Sequence, residues 1–169
     1  MQMTDLFLAQ LEAETKRTRR ALERVPEGRE DWKPHEKSMT LGRLAMLVAQ
    51  MPSWLGMIIH RDDLDLNPAN GSSAVQRPLR TVAELVQALD QGAADARQAL
   101  TSTSDEHLMK PWRLLVRGSV VSEELRHVVI RDTFAHLAHH RGQLTVYLRL
   151  NNVPVPAIYG PSADDARFG

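Results

Sequence analysis

The 169-residue sequence contains no cysteine. Disulfides, thiolate nucleophiles and cysteine-bound metals are therefore excluded, and any metal site must use histidine or carboxylate ligands. Lysine and arginine total 21, the same as aspartate and glutamate, so the formal net charge is zero. Without a basic field to attract phosphates, we expect no nucleic-acid partner.

Long apolar runs and targeting signals are also missing. No stretch approaches the roughly 18–20 apolar residues of a membrane-spanning helix. The amino terminus lacks the basic, apolar and small-residue pattern of a signal peptide. We therefore expect a cytoplasmic protein with no membrane partner. At 19.0 kDa the chain, residues 1–169, has the size of a single domain with its own core.

Apolar residues recur at helical spacing through most of the chain. The first helix is predicted over residues 4–25. The second is predicted over residues 38–58, with a kink at Pro52 because proline removes a backbone donor and crowds the preceding turn. Thr81-Val-Ala-Glu84 has the pattern of a capping box and predicts the start of a third helix that ends near Leu100.

Two connectors separate these helices. Residues 60–78 have loop composition, and we expect them to be the most mobile segment. Residues 104–118 form the second connector, with short extended pieces around 114–116. The last helix is predicted over about 122–152. Four amphipathic helices without convincing strand pairs favour an all-α fold, a four-helix bundle.

The last helix carries the most informative motif, His136 and His140 one turn apart. Side chains at this spacing share a helix face with Cβ atoms about 5–6 Å apart, close enough for two imidazoles to bind one zinc-sized ion. Asp132 and Gln143 extend the same polar stripe and could orient the imidazoles by hydrogen bonds. Hydrogen bonding alone could also satisfy the stripe. His139 lies about a quarter turn away, and we expect it to pack or to face solvent.

Several short motifs are shared with one known family. They are Asp31-Trp-Lys-Pro-His-Glu-Lys-Ser38, Leu41-Gly-Arg-Leu44, Pro52-Ser-Trp54, His136-Leu-Ala-His-His-Arg-Gly-Gln143, Tyr147-Leu-Arg149 and Val155-Pro-Ala-Ile-Tyr-Gly-Pro-Ser162. Spread over residues 4–165, they resemble the DinB-like (DinB/YfiT) family, the damage-inducible helical family and not the DNA polymerase that shares the name. The resemblance implies an up-down-down-up four-helix bundle, often a homodimer, that holds a divalent metal such as Zn or Ni by three histidines.

Two of the three ligands that the resemblance implies correspond to His136 and His140. The third would lie on the second helix, five residues before Pro52, where this chain has Leu47. Leucine has no ligand atom, so the three-histidine site is incomplete. Either a metal binds weakly, with water or a carboxylate completing its shell, or the site is metal-free and the histidines hydrogen-bond to polar neighbours. The second outcome is favoured.

Two classes of function stay open at this stage. The first is a stress-associated DinB-like protein that is non-catalytic or binds metal weakly. The alternative, which the resemblance implies, is a divalent-metal-dependent S-transferase or hydrolase that uses a thiol such as bacillithiol or mycothiol. Arg141 could anchor an anionic small-molecule substrate, although a salt bridge is its simpler role. Tyr159 could fold over the mouth of the site or could pack.

Overall fold

The computed structural model describes residues 2–68 and 78–167. Within them the helices are α1 (Met3–Leu22), α2 (Leu41–Gln50), α3 (Ser53–His60), α4 (Val82–Ser102), α5 (Asp105–Leu108) and α6 (Arg126–Leu150). The strands are β1 (Asp63–Asp65), β2 (Pro111–Val116) and β3 (Ser119–Leu125), which form one sheet in the order β1-β2-β3. The protein is mostly helical with a small sheet, so the prediction of a strictly all-α bundle is not confirmed.

Local signals at the helix ends are confirmed by the structure. The hydroxyls of Thr40 and Thr81 accept hydrogen bonds from the backbone N–H groups of Arg43 and Glu84, at 3.3 and 3.2 Å, and so begin α2 and α4. Pro52 separates α2 from α3, and the two helices are bent by 51°. This bend is the predicted kink, and it follows from the backbone donor that proline lacks.

Strand β2 lies in the second predicted connector and confirms the extended pieces expected around 114–116, whereas the end of β3 takes the place of the predicted beginning of the last helix. β2 and β3 are antiparallel strands joined by a tight turn, and Arg117 and Gly118 in that turn have positive φ angles of 53° and 76°. The carboxylate of Asp65 accepts hydrogen bonds from the backbone N–H groups of both turn residues, at 3.0 and 2.7 Å. This turn makes residues 122–125 a strand rather than the first turn of a helix.

The loop predicted over residues 60–78 is only partly described. Its first part contains β1, which pairs in parallel with β2 and so corrects the prediction for residues 63–65. Residues 69–77 lie outside the described part of the chain, and with them most of the segment that was predicted to be mobile.

Two clusters of buried apolar side chains form the core. The first joins α1, α2, α4 and α6 and includes Leu22, Leu41, Leu44, Val48, Leu89 and Leu144. The second joins α1, α3, α4 and α6 to the sheet and includes Leu11, Leu55, Ile58, Leu100, Trp112 and Ile130. Helix α4 approaches the α2–α3 bend closely at Gly92, where an added Cβ would lie 3.0 Å from the backbone nitrogen of Ser53. Burial of these side chains is the main stabilising contribution.

No single described helix has both the length and the apolar composition that a membrane span needs. The bent pair of α2 and α3 meets that test only when the two helices are taken together. The apolar side chains of this pair, such as Leu44, Val48 and Ile58, lie in the two core clusters.

Arg126 fixes the junction between α3, the hairpin and α6. Its side chain is 2% exposed, and it donates hydrogen bonds to the backbone carbonyls of Ile58, Arg61 and Pro111 at 3.2, 3.2 and 2.7 Å. It also pairs with the carboxylate of Asp62. These contacts join the end of α3 to the start of α6 and hold the sheet beside both helices.

Candidate functional site

His136 and His140 lie side by side on α6. Their Nε2 atoms are 2.8 Å apart and their ring centroids 4.6 Å apart. The ring of Trp54 on α3 lies 5.6 Å from that of His136, so this face of α6 is turned toward α3. Two imidazoles on one tetrahedral metal would have their Nε2 atoms about 3.3 Å apart, given metal–nitrogen bonds of about 2.0–2.1 Å. At 2.8 Å the pair has the geometry of a hydrogen bond.

Gln143 and His139 extend this pair into a chain of hydrogen bonds. The amide oxygen of Gln143 accepts from Nδ1 of His140 at 2.7 Å, and its amide nitrogen donates to Nε2 of His139 at 3.0 Å. His140 then carries its proton on Nδ1, and its Nε2 accepts a hydrogen bond from the Nε2–H of His136. Gln143 therefore orients His140. His139 is exposed and joins the chain, a role that sequence reasoning missed although its spacing to Gln143 is also four.

The pKa of His136 is lowered from its ordinary value. The main cause is burial, which disfavours the imidazolium, and positive charge on His140 or His139 would lower it further. His136 therefore stays neutral to a lower pH than a free imidazole does. A neutral ring offers one nitrogen lone pair, either to a hydrogen-bond donor or to a metal.

Asp132 lies one helical turn before His136. Its carboxylate accepts a hydrogen bond from Nε of Arg131 at 2.9 Å, and its side chain is 62% exposed. The sequence places Asp132 on the same helix face as the imidazoles. In the structure, however, the ion pair of Asp132 is with Arg131. Asp132 is thus at the edge of the site, where it also borders a pocket beside His136.

Leu47 lies on α2, half-buried and packed against the first core cluster. Helix α2 packs against α6, as a helix that supplied a third ligand would have to. Over residues 2–68 and 78–167, no group of three or more histidine, aspartate and glutamate side chains is arranged to hold a metal ion. The residues present therefore do not fit the three-ligand metal centre that the family resemblance implies.

Arg141 and Tyr159 take part in a network on the α1 side of α6 that is buried at Arg141 and reaches the surface at Tyr159, which is 59% exposed. Arg141 is 1% exposed and donates to Glu14 at 2.7 Å, to Thr18 at 3.0 Å and to the hydroxyl of Tyr159 at 2.5 Å. The guanidinium of Arg17 lies 4.6 Å from the centre of the Tyr159 ring. Arg141 thus has the salt bridge that was its simpler expected role, with Glu14 as the partner. Tyr159 packs on the Glu14–Arg141 pair. Sequence reasoning missed Glu14, and the signal available was its position on the apolar stripe of α1.

A pocket of about 460 Å³ opens beside His136, between α3, the sheet and α6. Its walls are Trp54, Met57, Ile58, Leu64, Leu66, Trp112, Leu114, Val129, Asp132, Thr133 and His136. The indole N–H of Trp112 is buried and has no hydrogen-bond partner in the described part of the chain. The sequence did not predict this pocket, because three of its lining residues, Leu64, Trp112 and Leu114, belong to the sheet.

Comparisons with known proteins agree with this fold. A model of the DinB family matches residues 1–167. The chain is 28% identical over 170 residues to the uncharacterized protein YrdA of Bacillus subtilis (strain 168), across 99% of this chain and 95% of that protein.

Two solved structures of DinB-like proteins share the fold. The protein YjoA of Bacillus subtilis has a TM-score of 0.65 at 16% identity, covering 87% of this chain and 92% of that chain. A protein from Bacillus cereus ATCC 10987 has a TM-score of 0.65 at 17% identity, covering 90% and 95%. From the family match over nearly its whole length, the chain belongs to the DinB family.

Proposed function

We propose that this chain is a DinB family protein with a degenerate three-histidine centre, and that it is non-catalytic or binds metal only weakly. The observation that carries the proposal is the 2.8 Å contact between the Nε2 atoms of His136 and His140. It is supported by Leu47, which contributes no ligand atom from α2. A catalytic zinc centre normally has three protein ligands and one open position. Two imidazoles and a leucine fall one ligand short of that number.

Weak metal binding remains compatible with this geometry. The Nε2 atoms of His136 and His140 would have to move apart by about 0.5 Å to accept one tetrahedral ion. A metal would also have to displace the proton that the two rings share. Both requirements lower the affinity for Zn²⁺ or Ni²⁺ below that of a preformed three-histidine site.

The alternative is a divalent-metal-dependent thiol S-transferase or hydrolase. The observation that favours it is the position of His136, which belongs both to the histidine pair and to the wall of the apolar pocket. Such an enzyme would need ligands from water or substrate to replace the one missing at Leu47. We therefore rank it second.

Metal content per chain tests the proposal. We would measure it by plasma mass spectrometry on tag-free protein that has never contacted a chelating column, with His136→Gln as the comparison. The proposal predicts far less than one equivalent of any divalent metal in both proteins. One equivalent in the unmodified protein that is lost on His136→Gln would contradict it and would favour the metal-dependent enzyme.

A further inference from the structure

We propose that the pocket beside His136 binds a small, largely apolar molecule that is uncharged or cationic. The pocket has a volume of about 460 Å³, within the range of about 300–1,000 Å³ typical of small-molecule sites. Nothing in this inference depends on metal at the histidine pair.

The walls of the pocket come from three separate parts of the fold. Trp54 and Met57 belong to α3, Trp112 and Leu114 to β2, and Val129 to α6. Apolar walls with a few polar groups at one edge are the usual composition of a ligand pocket, since burial of apolar area supplies affinity and the polar groups orient the ligand.

Buried hydrogen bonds hold these walls in place. Arg126 ties the carbonyl of Ile58, itself a wall residue, to the carbonyl of Pro111 at the start of β2. Trp112 is 5% exposed, and Thr133 donates to the backbone carbonyl of Val129 at 2.9 Å. A preformed pocket requires little ordering when a ligand binds, which favours affinity.

Charge determines the class of ligand. Among the lining residues within 2–68 and 78–167, Asp132 is the one permanently charged side chain, and none is a lysine or an arginine. Arg131 pairs with Asp132 but lies outside this lining. An anion would lose its hydration without gaining a cationic partner, so anionic ligands are disfavoured.

Two polar groups could fix the orientation of a ligand. His136 directs Nε2 to His140, so its other ring nitrogen, Nδ1, is the one available to a ligand. Trp112 is a wall residue whose indole N–H has no acceptor within residues 2–68 and 78–167. An unsatisfied buried donor is costly, but this nitrogen is shielded from solvent, so a ligand acceptor gains it only if the wall around Trp112 shifts. These groups support an apolar molecule with one or two polar atoms.

A matched pair of fluorescent probes tests the ligand class. N-phenyl-1-naphthylamine is uncharged, and 8-anilino-1-naphthalenesulfonate has the same ring system with an added sulfonate. We would titrate both into chelator-treated protein. We expect saturable binding of the uncharged probe to one site per chain, with the anionic probe bound at least about tenfold more weakly, a difference of about 1.4 kcal/mol. Equal affinity for both probes, or no saturable binding, would overturn the proposal.

Two equally exposed side chains provide the control for location. Leu66 is 57% exposed and lines the pocket, whereas Val121 on β3 is 56% exposed and lies outside the lining. Leu66→Glu is expected to weaken binding of the uncharged probe about tenfold or more, and Val121→Glu to leave it unchanged. Met57→Trp, which fills the pocket from α3, is expected to have the same effect as Leu66→Glu.

The opposite outcomes are also defined. Equal effects of Leu66→Glu and Val121→Glu would place the probe elsewhere and overturn the proposal. A second contrary outcome combines two results: the unmodified protein binds no probe, and sedimentation shows that Leu66→Glu converts a dimer to a monomer. A second copy of the chain would then cover this face, and the proposal would be overturned. Because the protein is chelator-treated, none of these results depends on the state of the proposed metal site.

Discussion

Arg141 and Glu14 form a 2.7 Å salt bridge between α6 and α1 in which both side chains are almost fully buried, at 1% and 2% exposure. Removal of Arg141 leaves the buried carboxylate of Glu14 with one counter-ion instead of two. We expect Arg141→Met to lower the free energy of unfolding by about 3 kcal/mol, as measured by urea denaturation. Arg17 remains 2.8 Å from Glu14 and limits the loss.

The matched control for that variant is Arg131→Met. Arg131 pairs with Asp132, and both of these side chains are mostly exposed, at 68% and 62%. Exposed pairs contribute about 0–1 kcal/mol, so the control should change stability by less than that. Equal effects of the two substitutions would contradict a structural role for the Glu14–Arg141 pair.

Tyr159 should make stability depend on pH in the alkaline range. The pKa of its phenol is raised, first because burial disfavours the phenolate and also because Glu14 is close, while Arg141 acts in the opposite direction. The folded state therefore holds the phenol proton of Tyr159 more tightly than the unfolded state does. The contribution of this phenol to the free energy of unfolding is complete below pH about 10 and is lost as the pH rises through the raised pKa.

The chain has only two tyrosines, so this titration can be resolved. We expect the ultraviolet titration difference between the unmodified protein and Tyr159→Phe to show a phenol with a pKa above the ordinary value. We also expect Tyr159→Phe to be less sensitive to alkaline unfolding. A Tyr159 phenol that titrates at or below its ordinary pKa would be inconsistent with this arrangement.

Two glycines should respond in opposite directions to alanine. Gly118 has a φ of +76° in the hairpin turn, whereas Gly142 lies within α6, and an added Cβ would meet nothing within 4 Å at either position. We expect Gly118→Ala to cost about 1–2 kcal/mol, because a Cβ is disfavoured at positive φ. Gly142→Ala should stabilise the protein by up to about 1 kcal/mol. Thermal unfolding measures both, and a destabilising Gly142→Ala would mean that this face of α6 is covered.

The parts of the fold that the sequence predicts are those set by local signals. The Thr81 capping box and the Pro52 kink depend on residues within one or two turns, and both are present in the structure. Extended residues around 114–116 were predicted and lie in β2, but their pairing with β1 was missed because it joins residues about fifty positions apart, for example Asp63 with Arg113. The residues before 126 fit a helical pattern, and this pattern does not show that the turn at Gly118 lets them pair with β2 as strand β3.

The candidate site divides in the same way. The spacing of His136 and His140 alone places the two rings together, because it is set by the geometry of one helix. The proposal that a third ligand is missing at Leu47 depends on the family resemblance, because spacing within α6 gives no information about α2. By contrast, the Glu14–Arg141 pair and the pocket depend on side chains that are distant in sequence, and no local pattern identifies such contacts.

Gln143 should tune any metal affinity that is restored to the site. Its amide oxygen holds Nδ1 of His140 at 2.7 Å, and such outer contacts orient a ligating imidazole and fix its tautomer. In a Leu47→His background, we expect Gln143→Leu to lower Zn²⁺ affinity by about 10–100-fold, as measured by calorimetric titration. If the affinity is unchanged, Gln143 does not orient His140 in the metal-bound state.

The central claim is that this chain lacks one metal ligand, at Leu47. Calorimetric titration of Zn²⁺ into the unmodified protein, Leu47→His and Met46→His tests it most directly, since Met46 is a half-buried neighbour on α2 that packs against the same core cluster. We predict weak or undetectable binding by the unmodified protein and by Met46→His, and binding at one equivalent, at least about 100-fold tighter, by Leu47→His. Tight stoichiometric binding by the unmodified protein, or equal affinities for all three proteins, would contradict the account.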